Sequence, residues 1–276
     1  MSKNNSLYRV ISLVSCCLFS SLGYSELDDE EEYIEIGAGL STFNVPHYAG
    51  SDEYETYAVP FPYFVYQTKK VSLNREGLRR HLFYSKTWDI DVSLAGRLPV
   101  RDDNKARAGM PELDWVIMAG PSINYKVIND DKQRLKFSLP IHGAIATDFT
   151  QATSVGWEFA PGFRWDTLWQ VDDTVWRTNF NANIFYSTKK FNRYYYDVPN
   201  AFATPERSSY TAESGNSGYQ VTFGLTRRKG DIWMGGFVRY RSVADAVFVD
   251  SPLVKANDNV YVGFAFAYVL NRESID

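Results

Sequence analysis

Cysteine and histidine are scarce in this 276-residue chain, and their scarcity limits the chemistry that it can perform. There are 2 cysteines, at positions 16 and 17, and 3 histidines. If the first 25 residues are removed during secretion, no disulfide bond and no thiolate ligand or nucleophile remains. The histidines are far apart in sequence, so we do not expect a metal site.

Long apolar runs and an excess of basic residues are also missing. Beyond residue 25 the longest run of apolar residues plus glycine covers eleven residues, 260–270, whereas a membrane-spanning helix needs roughly 20. The chain has 29 Lys and Arg against 33 Asp and Glu, a formal net charge of −4. These two deficits exclude a helical membrane protein and argue against a nucleic-acid partner, for which a basic excess is expected.

The N-terminal 25 residues have the features of a signal peptide of the Sec pathway. Lys3 and Arg9 precede a mostly apolar stretch, 10–22, and the small-residue site at 23–25 follows it. This pattern predicts a signal peptide over residues 1–25, cleaved after Ser25. Residues 13–16 also resemble a lipobox, so a lipid anchor on Cys16 is an alternative.

An acidic segment follows the predicted cleavage site. Residues 26–32 have the sequence ELDDEEE, in which six of seven residues are acidic. No rigid element aligns these carboxylates, which favours a solvated N-terminal segment over a metal site.

From residue 33 onward, apolar residues alternate with polar or small ones. In 88–98, for example, Trp, Ile, Val and Leu occupy even positions, while Asp, Ser, Ala and Arg occupy odd ones. A period of two predicts β-strands with two unlike faces. About twelve such segments occur: 33–43, 56–66, 69–75, 78–84, 87–98, 113–127, 132–147, 154–168, 173–187, 217–228, 231–242 and 258–270.

The connections between these segments are mostly short and long in turn. The long ones are 44–55, 99–112, 188–216 and 243–257. Short turns at one end, long loops at the other and an even strand count are typical of an outer-membrane β-barrel, the strand architecture that satisfies every backbone group in lipid. We therefore predict an all-β transmembrane antiparallel barrel of about twelve strands over residues 33–276. A secreted soluble β-sandwich or lipocalin-like barrel is the alternative.

The polar faces of the predicted strands carry many charges that would project into the barrel. The candidate interior residues are Asp89, Asp91, Arg97, Asp114, Lys136, His142, Glu158, Arg164, Asp166, Arg177, Arg239 and Arg241. Their mixed signs allow two outcomes, a salt-bridged interior that plugs the barrel or a narrow polar path through it.

His142 is the histidine most suited to catalysis, because it lies on a polar face and its neighbouring strands contain Asp114 and Glu158. A barrel lipase or protease would require such a dyad. We favour a hydrogen-bond network instead, since polar groups in a narrow interior must find partners.

The 188–216 segment is the second candidate site, because loops of this length are often functional. Its candidate surface residues are Tyr194, Tyr195, Tyr196 and Tyr210. Tyrosine clusters form contact surfaces for proteins or glycans. Folding of the segment back over the barrel mouth is the equal alternative.

Several short motifs follow one another in a specific order. They are PHYAGSD at 46–52, PFPY at 60–63, REG at 75–77, GR at 96–97, RDD at 101–103, GMPELD at 109–114 and DSPLV at 250–254, followed by Gly263 and Tyr268. In this order they resemble the MipA/OmpV family (MltA-interacting protein) of outer-membrane proteins over nearly all of the mature chain. One departure is the C-terminus, where six residues follow Leu270 in place of a final aromatic residue.

The resemblance implies a barrel without a cofactor. For the best-known members it implies a scaffold that brings a murein transglycosylase together with a murein synthase. We therefore expect a non-enzymatic protein in the outer membrane of a Gram-negative bacterium, in contact with lipid. Other members are described as porin-like, so a narrow channel for small polar solutes is the alternative function.

Overall fold

A computed structural model describes residues 33–67, 71–74 and 77–274 of the chain. The predicted signal peptide, 1–25, and the acidic segment, 26–32, lie outside the described residues. The described part forms one antiparallel sheet of thirteen strands. The strands are β1 (Tyr33–Pro46), β2 (Tyr54–Gln67), β3 (Val71–Asn74), β4 (Gly77–Tyr84), β5 (Trp88–Arg97), β6 (Trp115–Asn129), β7 (Gln133–Thr147), β8 (Ala152–Phe159), β9 (Gly162–Val171), β10 (Thr174–Ser187), β11 (Gly215–Lys229), β12 (Ile232–Ser242) and β13 (Asp258–Ser274).

Each of these strands pairs with a neighbour on both of its edges. Strand β1 pairs with β2 from Tyr33 opposite Gln67 to Pro46 opposite Tyr54, and with β13 along its other edge. Strand β11 pairs with both β12 and β10. The all-β prediction is confirmed. Both edges of every described strand are paired over at least part of their length.

The predicted count of about twelve strands is not confirmed, because the predicted segment 154–168 is divided into β8 and β9. Both parts pair with β7 and with β10. Ala160 and Pro161 lie between them, and proline has no N–H to donate to a ladder. The carbonyl of Pro161 still accepts from the N–H of Ile184 at 3.0 Å, so the chain stays in the sheet across the break.

The burial pattern of the two faces is the reverse of that in a soluble protein. Apolar side chains are exposed on one face, as Leu40 (58%) and Leu270 (69%) illustrate, whereas Asp91 (1%) and Glu158 (4%) are buried on the other. Because successive residues of a strand point to opposite faces, the period-two pattern of the sequence separates these two sets. We call the two sides the exposed face and the buried face.

Long connections gather at one end of the sheet. They are residues 47–53, 98–114, 188–214 and 243–257, while the opposite end has short turns such as 130–132, 172–173 and 230–231. The longest contains helix α1 (Lys189–Tyr196) and a 3₁₀ turn at Asn200–Phe202, and a second 3₁₀ turn spans Lys105–Arg107. No helix of the described part is long and apolar enough to cross a membrane.

An apolar cluster fills part of the buried face between β12, β13, β1 and β2. Its members are Tyr33, Phe43, Val45, Val59, Tyr63, Val65, Trp115, Trp233, Phe237, Ala265, Ala267 and Val269. Glu35 lies beside this cluster with no exposed surface. It accepts a hydrogen bond from Tyr63 Oη at 3.0 Å and forms an ion pair with Arg228 Nη1 at 2.7 Å. The buried carboxylate is thus neutralised where it lies.

Strand β6 approaches β7 closely at Gly120. A Cβ at this position would meet the carbonyl oxygen of Ile141 on β7. Ser93 on β5 lies opposite Gly120, and the absence of a side chain there leaves space for Ser93 to reach β7.

We expect Gly120→Ala to lower the free energy of unfolding by about 1–3 kcal/mol, because the added methyl group forces two paired backbones apart. Gly96→Ala is the matched control, since its Cβ would meet only the carbonyl oxygen of Val116 at 3.5 Å. Urea unfolding of the refolded proteins, followed by tryptophan fluorescence, measures both. Equal stability of the two variants would contradict the close approach.

Candidate functional site

The buried face collects most of the charged residues predicted to point inward. Asp89, Asp91, His142, Glu158, Arg164 and Arg241 are buried, and Arg97, Lys136, Asp166, Arg177 and Arg239 are half-buried. The prediction for Asp114 is wrong, because this residue is exposed and does not point inward. Strand β6 begins only at Trp115, so Asp114 belongs to a loop, where its N–H donates to Tyr194 Oη at 2.8 Å.

Three arginines and one glutamate surround a cavity of about 250 Å³ within the buried face. Arg97 Nη2 lies 2.5 Å from Glu158 Oε2. Arg239 Nε donates to Thr222 Oγ1 at 3.2 Å, and Arg241 Nη2 donates to the carbonyl of Ser217 at 3.0 Å. The strands β5, β8 and β12 therefore bring together Arg97, Glu158, Arg239 and Arg241, four residues that are up to 144 positions apart in sequence (241 − 97).

Aromatic rings hold the guanidinium groups of this cavity. The Cζ of Arg241 lies 3.7 Å from the centroid of the Phe185 ring. The Cζ of Arg97 lies 5.2 Å from the Phe191 ring and 5.6 Å from the Tyr195 ring. Such cation–π contacts favour the charged side chain in a fixed position.

A second polar cluster crosses β5, β6 and β7. His142 Nε2 lies 2.7 Å from Ser93 Oγ, and the small Gly120 of β6 lies between the two strands that carry them. In the same region Ser138 Oγ donates to Asn124 Oδ1 at 2.7 Å. The Ser–His distance suits a nucleophile and its base, but among the described residues no carboxylate hydrogen-bonds the other ring nitrogen of His142. The contacts are those of a hydrogen-bond network.

Further ion pairs lie toward the short-turn end of the buried face. Arg164 Nε lies 2.7 Å from Asp166 Oδ2, two residues along the same strand. Sequence reasoning identified both residues, since two positions along a strand share a face. It missed the Glu35 pair, because no charged partner of Glu35 is near it in sequence.

The four long connections fold over the end of the sheet and form what we call the cover, residues 47–53, 98–114, 188–214 and 243–257. Tyr48, Val100, Phe191, Tyr196 and Phe248 are buried together where these segments meet. The rings of Tyr196 and Phe248 stack with centroids 3.6 Å apart and planes 10° from parallel. The cover is thus a packed apolar layer that adjoins the cavity.

Side chain to backbone hydrogen bonds connect the segments of the cover. Tyr196 Oη donates to the carbonyl of Ala49 at 2.8 Å, and Ser251 Oγ donates to the carbonyl of Tyr196 at 2.7 Å. Tyr48 Oη donates to the carbonyl of Leu253 at 2.7 Å. Because these bonds join the first, third and fourth connections, each segment restrains the others.

Two buried arginines strengthen the cover, and sequence reasoning missed both. Arg107 donates to the carbonyls of Tyr195 at 3.0 Å and Pro111 at 3.2 Å. Arg207 Nη1 donates to the carbonyls of Ala106 and Ala108, each at 3.0 Å. Burial lowers the pKa of Arg107. Since three of these four acceptors are backbone carbonyls of residues far away in sequence, no residue pattern indicates these roles.

The candidate surface tyrosines of the 188–216 segment require a correction. Tyr195 and Tyr196 are buried, and only Tyr194 and Tyr210 keep partial exposure. Burial raises the pKa of Tyr194 to about 12 and raises the pKa of Tyr195 and of Tyr196 further. These phenols therefore stay protonated at physiological pH. The sequence left two alternatives open, a contact surface or a segment folded back over the barrel mouth. The segment folds back over the sheet, and the aromatic face of α1 is buried there.

No metal centre is evident in the described residues. No group of three or more His, Cys, Asp and Glu side chains in that part of the chain is close enough together to hold a metal ion.

Comparison with known proteins gives one family. The model of the family described as "MltA-interacting protein MipA" matches residues 38–270, which confirms the resemblance indicated by the ordered motifs. No curated protein matches the sequence significantly.

Several solved structures show a distant likeness. A bacterial polysaccharide outer membrane secretin is 8% identical with a TM-score of 0.42, over 86% of this chain and 99% of that one. The outer membrane protease OmpT from Escherichia coli is 6% identical with a TM-score of 0.32, over 90% and 98%. A FadL homologue from Pseudomonas aeruginosa is 8% identical with a TM-score of 0.36, over 88% and 69%. These TM-scores are too low to support an inference.

We expect Arg107→Met to make the cover easier to open, because it removes two hydrogen bonds from a charged donor. Because the loss of such bonds favours opening, we expect chymotrypsin to cleave within 188–214 about tenfold faster. The matched control is Lys105→Met, since Lys105 is exposed. Cleavage rates measured by gel electrophoresis distinguish them. A cleavage rate for Arg107→Met equal to that of the control would show that Arg107 does not restrain the cover.

Proposed function

Because the chain belongs to the MipA family, we propose that it is a closed outer-membrane β-barrel that acts as a non-enzymatic scaffold for murein-remodelling enzymes. The observation that carries the proposal is the match of residues 38–270 to the family described as MltA-interacting protein. The proposed partners are a murein transglycosylase and, as the family resemblance implies, a murein synthase. The predicted signal peptide would deliver the chain to the Gram-negative cell envelope.

Two features support the membrane-spanning barrel. The pairing of β10 with β11 gives every described strand two partners, as a barrel without open edges requires in lipid. The exposed face is widely apolar, and a contiguous apolar surface of this kind suits contact with lipid. Its exposed aromatic side chains include Trp88, Tyr125, Trp157 and Tyr186, each near a strand end, where interfacial aromatic belts occur.

The short-turn end is the surface that we assign to the partner enzymes. In outer-membrane barrels the short turns face the periplasm, where such enzymes act. Asp131, Asp172 and Asp231 are exposed in three of these turns, where a partner can contact their carboxylates. The packed cover lies over the long-loop end, and this favours a scaffold rather than an open pore.

Neutralising the turn carboxylates tests the partner surface. We expect the combined variant Asp131→Asn, Asp172→Asn and Asp231→Asn to recover at least about fivefold less transglycosylase in affinity purification from solubilised outer membranes, because the charged contacts of an interface set its specificity.

A matched control removes the same charge at the other end. Asp102→Asn, Asp103→Asn and Asp245→Asn neutralise three exposed carboxylates of the cover and should leave recovery unchanged. If the unaltered protein enriches neither a transglycosylase nor a murein synthase, the scaffold proposal fails.

A narrow channel for small polar solutes is the second candidate, favoured by the charged cavity beneath the cover. Under the scaffold proposal the refolded protein should give no discrete conductance steps in a planar bilayer, because the cover obstructs the interior. Tyr196→Ala with Phe248→Ala should introduce steps by removing the aromatic stack. Steps from the unaltered protein would favour the channel.

The channel candidate makes a further demand. If the unaltered protein conducts, substitution of Arg164, Arg177 and Arg239 by glutamine should shift its ion selectivity toward cations, because inward positive charge attracts anions. Reversal potentials in a KCl gradient measure this shift. Conduction with unchanged selectivity would place the path elsewhere.

A further inference from the structure

We propose that the cavity beneath the cover is a binding site for a small oxyanion, a carboxylate or phosphate group on a solute of a few heavy atoms. The inference rests on the charge, the free donors and the shape of the cavity. It does not depend on the scaffold role, because the site lies beneath the cover, away from the short turns.

The cavity has an excess of positive charge. Arg97, Arg239 and Arg241 line the cavity, and Glu158 is the single carboxylate among its lining residues. Glu158 is committed to Arg97 by their ion pair. Arg239 and Arg241 form no ion pair within the described part of the chain. Charges that are removed from water are normally paired, so this cavity favours a negatively charged ligand.

The cavity also contains buried donors without acceptors. Arg241 and Tyr195 are each only 4% exposed, and both line the cavity. Among the described residues, Arg241 Nε, Arg97 Nε and Tyr195 Oη have no hydrogen-bond partner. A buried polar atom without a partner calls for a ligand, an ion or water. All of these groups can donate, and an oxyanion is purely an acceptor.

The guanidinium groups of the cavity are held in a fixed geometry. Arg241 lies against the Phe185 ring, and Arg239 lies 5.7 Å from the centroid of the Tyr261 ring. Each also donates to a neighbouring strand, as described above. Planar guanidinium groups held in this way match the paired oxygens of carboxylate and phosphate. The volume of about 250 Å³ has room for a small solute.

Isothermal titration calorimetry on the detergent-refolded mature protein at low chloride tests the proposal. Sodium acetate and sodium phosphate are titrated separately, and we expect saturable binding of at least one of them with one site per chain. Tighter binding of acetate identifies a carboxylate site, and tighter binding of phosphate identifies a phosphate site. Absence of binding for both anions overturns the proposal.

Two substitutions locate the site. Arg241→Gln should weaken binding at least about tenfold, and Tyr195→Phe, which removes only a hydroxyl group, should weaken it about threefold to tenfold. Arg193→Gln is the control and should bind as the unaltered protein does, because Arg193 is exposed and pairs with Asp197 outside the cavity. Circular dichroism verifies that each variant is folded.

If Arg241→Gln does not fold, Tyr195→Phe still decides the question. Unchanged affinity in a folded Tyr195→Phe or Arg241→Gln variant would place the anion elsewhere and overturn the proposal. Weakening in Arg193→Gln to the same degree would also overturn it, since that result would mean that any positive charge on the cover suffices.

Discussion

The hydrogen-bond ladder between β10 and β11 is the contact on which the rest of the structure depends. Without it the sheet would have two open edges, and each edge would present a row of unpaired N–H and C=O groups. With it, Tyr186 to Thr174 of β10 are paired along β11. The ladder also brings the two halves of the chain together, so that residues of β5 and β12 can line one cavity.

The sheet turns the polar side chains of its buried face away from water, so each of them needs a hydrogen-bond or charge partner. The solutions differ along the sheet. Glu35 is surrounded by Arg228, Arg272 and Tyr63, and His142 contacts Ser93 across the space that Gly120 leaves. The arginines of the cavity are the exception, since their positive charge exceeds the negative charge around them. This local excess of positive charge is the feature most easily related to a ligand.

The cover lies over the long-loop end of the sheet and is stabilised differently from the strands. Its segments have little regular structure, and apolar packing combined with bonds from side chains to carbonyls holds them. Arg107, Tyr196 and Ser251 each connect segments far apart in sequence. A scaffold needs no open path, and a packed cover is consistent with that role. The cavity beneath it then serves a small ligand without requiring a pore.

Prediction from the sequence succeeded where structure is local and failed where it depends on distant residues. The alternation from Trp88 onward predicted β5 and its two faces, because the period of a strand is a property of consecutive residues. Proline at 161 signalled a break that the predicted segment 154–168 ignored. Asp114 was assigned to the interior because the predicted segment 113–127 begins two residues before β6. Tyr195 and Tyr196 were assigned to a surface because their covering partners are about 50 to 150 residues away.

The sequence by itself determined the all-β class, the position of the long connections and the family, since these depend on periodicity, turn-forming residues and ordered motifs. Tertiary structure decided which charges meet. Arg97, Glu158, Arg239 and Arg241 become neighbours only through the register of β5, β8 and β12 and through the fold of the cover. The physical reason is that strand periodicity is encoded in adjacent residues, whereas burial and charge pairing are set by whichever distant residues the backbone ladders bring into contact.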